Sequence, residues 1–166
     1  MKRVLFVCLG NICRSPTAEG VFRHWLESRG DAAGASSIEV DSAGTSAHHV
    51  GEPADPRMRE SASRRGYDLS SRARQVRRED FDRFDRIVAM DRDNLRALEA
   101  FGAARPGQLR LFSHYLAEAP GSWPVDVPDP YYGGAEGFET VLSMVEAGCA
   151  GLWRDLSEGC EPVTGS

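Results

Sequence analysis

The chain has 166 residues, of which 41% are hydrophobic and 27% charged, with 20 Lys+Arg against 25 Asp+Glu for a formal charge of −5. Those values suit one soluble domain with a single sizeable core; they exclude wholesale disorder and a fibrous fold, and they argue against a general nucleic-acid binder, which is usually basic. No apolar run reaches the roughly 18 residues a membrane span needs. The start MKRVLFVCLG resembles a signal peptide, but its apolar run is short and Asn11 and Arg14 follow at once. No membrane insertion and a cytoplasmic location are expected.

In chain order, residues 3–8 (RVLFVC) read as a buried strand. A loop follows, then a helix for which Ser15 is the expected cap and Pro16 the first position, ending at Gly30. Residues 38–42 read as a second strand, 56–66 as a polar helix, 87–90 as a third strand followed by Asp91, 92–101 as a helix, and 109–112 as a fourth strand. A Pro-rich loop covers 120–134, and a last helix spans 136–157, its apolar residues on one face. Residues 159–166 are expected to be a loose tail after a domain of residues 1–158. Strands alternating with helices imply an α/β fold with a parallel sheet, helices on both faces, and ligands at the carboxyl ends of the strands.

The four cysteines, at 8, 13, 149 and 160, are too sparse for a disulfide framework and lack metal spacing. No metal and no cofactor are expected. The chemistry concentrates in residues 8–16, CLGNICRSP. Backbone amides between a strand end and a helix N-terminus can encircle an anion. Gly10 permits a positive φ and Asn11 tolerates one. Arg14 offers a planar fork of donors suited to phosphate oxygens. Cys8 lies at the foot of this cradle, where the thiolate is favoured, so the loop joins a nucleophile to an anion site. Residues 57–78 carry eight Arg against Glu60 and Asp68, a local +6 that could guide acidic or phosphorylated partners.

The string VCLGNICRSPTAE at 7–19 closely resembles the signature of the low-molecular-weight protein tyrosine phosphatases. DSAGTSAHHVGEPADPRM at 41–58, IVAMDRDNL at 87–95 and VPDPYYGG at 127–134 resemble further segments of that family, so the resemblance covers nearly the whole chain. It implies a four-stranded parallel sheet and hydrolysis of phosphotyrosine and small aryl phosphates through a phosphocysteine on Cys8. Arg14 and the amides of Leu9, Gly10, Asn11, Ile12 and Cys13 would hold the phosphoryl oxygens. Asp129 would be the general acid. Ser15 would donate to the Cys8 sulfur, and Asn11 and Ser42 would brace the loop. Tyr131 or Tyr132 would wall the substrate cleft, and both resemble kinase-phosphorylated sites of the family. His48 stands where many members carry Trp or Tyr, and the pair His48–His49 is otherwise expected to be solvated. Cys13 is expected to trap an oxidised Cys8 as a disulfide, making the enzyme redox-sensitive. Tyrosine-phosphorylated proteins are the implied partners, with a cognate tyrosine kinase if the source is bacterial. The sequence sets no oligomeric state.

Two other readings compete. Arsenate reductases of this fold use two further mid-chain cysteines, and none occurs between Cys13 and Cys149. A phosphate-dependent binding module without turnover would not need Cys8, Arg14 and Asp129 together. Ile12 also separates the chain from protein-arginine phosphatases of this fold, which tend to have Thr there.

Overall fold

In the computed structural model, residues 2–30 and 37–158 are described. The expected tail at 159–166 lies outside them. The elements are β1 (Lys2–Cys8), α1 (Arg14–Arg29), β2 (Ile38–Gly44), α2 (Pro56–Arg64), α3 (Asp80–Arg83), β3 (Arg86–Ala89), α4 (Arg92–Glu99), β4 (Leu109–Leu111) and α5 (Ala135–Glu158). Short 3₁₀ turns cover Phe112–Leu116 and Pro130–Tyr132.

All strand pairings are parallel, in the order β2-β1-β3-β4. Side chains alternate along β1 because a strand has period two. Val4, Phe6 and Cys8 join the core beneath α1, α2 and α5; Leu5 and Val7 join the one beneath α3 and α4. Both faces of the sheet are therefore covered, which explains why β1 reads as a continuous apolar run. Phe6 is fully buried and meets Phe22 of α1 edge-on at 6.2 Å between ring centroids. Its truncation to Ala would cost about 3–5 kcal/mol.

Strand order reverses at β1, whose neighbours β2 and β3 come from connections running in opposite directions. A crevice opens at the carboxyl ends of strands at such a reversal. Cys8 is the last residue of β1 and lies at that crevice.

Three local expectations change. Helix α1 starts at Arg14, with Cys13 as its cap and no capping side-chain bond; Ser15 lies inside the first turn because its hydroxyl faces the Cys8 sulfur instead. Gly10 is not among the residues of positive φ, whereas Asn11 has φ 57°. Helix α2 stops at Arg64, and Gly66 follows with φ 88°, a turn that suits glycine. Helix α3, only four residues long, has no periodicity to announce it.

Candidate active site

The loop from Cys8 to Arg14 is held from outside through its carbonyls. Thr45 N donates to Cys8 O at 2.9 Å, Ser46 N to Leu9 O at 2.9 Å, and Asp55 N to Ile12 O at 2.8 Å. Cys13 O accepts from Thr17 N and from the Thr17 hydroxyl. The amides of Gly10, Ile12, Cys13 and Arg14 donate to no acceptor among the described residues. They lie in the loop that leads into α1 and at its first residue, where an anion satisfies such groups. Asn11 N donates to Cys8 Sγ at 3.3 Å.

Asn11 is the keystone. Its left-handed backbone turns the loop, and its buried amide spends every bond inward. Nδ2 donates to Ser15 Oγ at 2.8 Å and to Ser42 Oγ at 3.0 Å, and Oδ1 accepts from Arg74 N at 3.0 Å. Ser42 in turn donates to Glu19 at 2.7 Å. Burial pushes the Glu19 carboxyl above its ordinary range, against the pull of the Ser42 hydroxyl and Arg23. Ser15 Oγ sits 3.0 Å from Cys8 Sγ.

The Arg14 side chain is 4% exposed. Nη1 bonds Asp91 Oδ2 at 2.6 Å and Val127 O at 3.0 Å, while Nη2 lies 3.7 Å from Asp129 Oδ2. Burial works against its charge, but Cys8, the Asp91 hydrogen bond and charge, and Asp129 outweigh it, so the guanidinium is held more firmly charged than usual. Asp91 follows β3 and caps α4 with Asn94 in a reciprocal pair of bonds.

Cys8, Leu9, Gly10, Ile12, Cys13, Arg14, His48, Asp129, Tyr131 and Tyr132 line one cavity of about 300 Å³, together with Ser46 and His49. The cleft residues expected from the sequence thus converge, and Ser15 and Ser42 sit behind the loop as supports. Asp129 Oδ1 accepts from Tyr131 N at 3.0 Å, which caps the 3₁₀ turn and fixes the loop that carries Asp129. Tyr131 is partly exposed and Tyr132 is 89% exposed. Their rings meet edge-on at 4.9 Å.

His49 is the residue the sequence concealed. Expected in solvent with His48, it instead lines the cavity, with its ring 6.3 Å from Tyr131 and its Nδ1 2.7 Å from Glu52. A carboxylate only accepts, so Nδ1 holds a proton. The imidazole leans over Gly10, where a Cβ would come within 3.0 Å of its Cδ2. Close approach, not backbone conformation, is the reason for glycine there. His48 is exposed and stacks edge-on against His49 at 4.7 Å. Asp91 also escaped assignment; its one signal was its place directly after the third strand.

Half of the arginines of the basic stretch meet carboxylates in the fold. Arg57 pairs with Asp55, Arg64 with Glu60, Arg65 with Glu139 and Glu146, and Arg74 with Asp41 and Asp80. Among the described residues no group of three or more His, Cys, Asp or Glu is arranged to hold a metal ion, and no helix is long and apolar enough to cross a membrane.

A strand ending in cysteine, an amide loop closed by an arginine and an aspartate across a small cleft meet at the carboxyl end of a four-stranded parallel sheet. A sequence model described as low molecular weight phosphotyrosine protein phosphatase matches residues 3–161. The chain is 46% identical over 161 residues to a low molecular weight protein-tyrosine-phosphatase of Streptomyces coelicolor, covering 96% of each chain. Among solved structures it resembles a protein tyrosine phosphatase from Entamoeba histolytica with Hepes in the active site, with TM-score 0.86, 38% identity, and 96% and 99% of the two chains covered. It also resembles YfkJ from Bacillus subtilis, with TM-score 0.85, 37% identity, and 97% and 98% covered. The chain belongs to the low molecular weight phosphotyrosine protein phosphatase family.

Proposed function

We propose that the protein hydrolyses phosphotyrosine in proteins, and small aryl phosphates, in two displacements at phosphorus without a metal or cofactor. The observation that carries this reading is the single cavity in which Cys8, the buried Arg14 and Asp129 face one another. In the first step the Cys8 sulfur attacks phosphorus in line with the phenolic oxygen. The P–O bond breaks, Asp129 gives its proton to the leaving oxygen, and phosphocysteine forms. In the second step the Asp129 carboxylate takes a proton from water, whose oxygen attacks phosphorus. The S–P bond breaks, and the Ser15 hydroxyl, 3.0 Å from Sγ, steadies the departing sulfur. Arg14 and the loop amides hold the equatorial oxygens, which gather charge in both transition states. Arg14 cannot swing away, because Asp91 and Val127 O fix its other edge.

Specificity follows from depth. Cys8 is 3% exposed and lies beneath a rim of Leu9, His48, His49, Tyr131 and Tyr132. An aryl phosphate reaches it and stacks between rings, while a short alkyl phosphate does not. Tyrosine-phosphorylated proteins are therefore the substrates we assign. A metal-free panel of phosphotyrosine, phosphoserine, phosphothreonine and phosphoarginine peptides tests this. Release of phosphate from phosphotyrosine alone is expected. Comparable kcat/KM on phosphoserine would refute the deep-cleft argument, and a preference for phosphoarginine would reassign the substrate.

A further inference from the structure

The loop that carries Asp129 is fastened to the body of the protein upstream of the acid. Val127 N donates to Met90 O at 2.9 Å, and Val127 O accepts from Arg14 Nη1 at 3.0 Å. One residue earlier, Asp126 is gripped by Arg92 in a fork. Arg92 N donates to Oδ1 at 2.9 Å, Nη2 to Oδ2 at 3.0 Å, and Nε to Oδ1 at 3.2 Å and to Oδ2 at 3.3 Å. We propose that the Arg92–Asp126 pair is a latch that sets the position of the Asp129 carboxyl over the phosphate loop, making Arg92 and Asp126 positioning residues for the acid step. This rests on the acid role of Asp129 given above.

The argument is geometric. Asp91 and Arg92 are consecutive at the start of α4, and their turn is locked by the reciprocal Asp91–Asn94 bonds. Asp91 holds Arg14 and Arg92 holds Asp126, so one rigid turn places both the group that grips the phosphoryl oxygens and the loop that delivers the proton. Little freedom remains between latch and acid. Val127 is buried and bonded at both its N and its O, and Pro128 and Pro130 have fixed φ on either side of Asp129. A displacement of Asp126 is therefore passed along to Asp129 with little slack. The fork gives directional bonds that a point charge would not. The Arg92 bonds also hold the Asp126 carboxyl below its ordinary range. Both side chains are exposed, at 60% and 39%, and an exposed pair contributes little to global stability. The effect of losing it falls on geometry, where a shift of about 1 Å costs up to about a hundredfold in rate.

The test uses Arg92→Ala and Asp126→Asn, each assayed on aryl phosphates whose leaving phenols run from strongly acidic to phenol itself. Both variants should lose about tenfold in kcat/KM on phenyl phosphate and less than about twofold on the most activated ester. Arg92→Lys, which keeps charge but not the fork, should fall between. In an Asp129→Ala background, Arg92→Ala should add no leaving-group-dependent loss, because the group it positions is gone. An equal loss across the series, or none, or an additive loss with Asp129→Ala, would overturn the latch. If Asp129→Ala alone shows no dependence on the leaving group, the acid assignment falls and the latch with it. If Asp129→Ala shows it and neither latch variant does, the latch alone fails.

Discussion

Replacing Asn11 by Ala removes the residue that ties the loop from Cys8 to Arg14 to three separate parts of the chain. Its side chain makes bonds to Ser15, Ser42 and the amide of Arg74, all at 3.0 Å or less. Each such bond contributes about 1 kcal/mol net. Ala at φ 57° adds about 1 kcal/mol of backbone strain that Asn tolerates better. The expected loss of folding stability is therefore about 3–4 kcal/mol. Asn11→Gly separates the two contributions, since glycine adopts that φ freely and loses only the bonds. Urea unfolding with and without excess inorganic phosphate measures both stability and loop integrity. A competent loop gains about 2.7 kcal/mol at a phosphate concentration of 100 Kd. Asn11→Ala should lose most of that gain, along with alignment of Ser15 on the sulfur. A stability loss under about 1 kcal/mol with undiminished protection by phosphate would refute the view that Asn11 organises the loop.

Because His48 is exposed on the cleft rim, His48→Trp should lower KM for phosphotyrosyl peptides about threefold to tenfold, the worth of an aromatic pair, with kcat little changed; an unchanged KM would show that this rim does not touch the ring. Asp155 is buried enough for desolvation to oppose its charge, yet the bonds from Arg86 and Tyr115 outweigh that and depress its pKa. A depressed carboxylate contributes stability above its unfolded pKa and loses it as pH falls through the folded value. Asp155→Asn should therefore cost about 1–3 kcal/mol at pH 7 and progressively less below about pH 4; a cost independent of pH would contradict the ion-pair account. Cys13 is driven well above the ordinary thiol range by burial, then by Asp55, Cys8 and Asp129, with Arg57 opposing. Capture of a Cys8 sulfenic acid needs the Cys13 thiolate to attack sulfur and expel hydroxide, so disulfide formation after peroxide should be slow at neutral pH and rise about tenfold per pH unit. Mass spectrometry of the Cys8–Cys13 peptide follows this, and a rate flat in pH, or recovery unaltered in Cys13→Ser, removes Cys13 from redox control.

What was legible in the sequence was whatever is encoded locally. The apolar run 3–8, the helix-period pattern of α5 and the strand–loop–helix order all depend on neighbouring residues, and they appear with boundaries shifted by one or two positions. Cys8, Arg14 and Asp129 could be singled out because their segments are distinctive, and the fold brings them to one cavity although 115 residues separate Arg14 from Asp129. Features that depend on distant partners were not readable. By its own neighbours Ser15 looks like a helix cap, and only the resemblance put it beside the Cys8 sulfur. Gly10 looks like a turn residue until His49 leans on it. The arginines of 57–78 look like a free positive surface, yet half of them meet carboxylates, several from far along the chain. Asp91 and Arg92 look like an ordinary helix start, and only the fold gives Asp91 the Arg14 guanidinium and Arg92 the Asp126 carboxylate.

The central claim is that phosphorus passes through the Cys8 sulfur. Rapid acid quenching during turnover of a phosphotyrosyl peptide, followed by peptide mapping, tests it most directly. The account predicts a phosphoryl group on Cys8 in the wild-type protein, more of it in Asp129→Ala under a substrate with an activated leaving group, and none in Cys8→Ser, which should retain less than about one percent of activity while still binding the peptide. A phosphoryl group on any other residue, or steady turnover by Cys8→Ser, would contradict it.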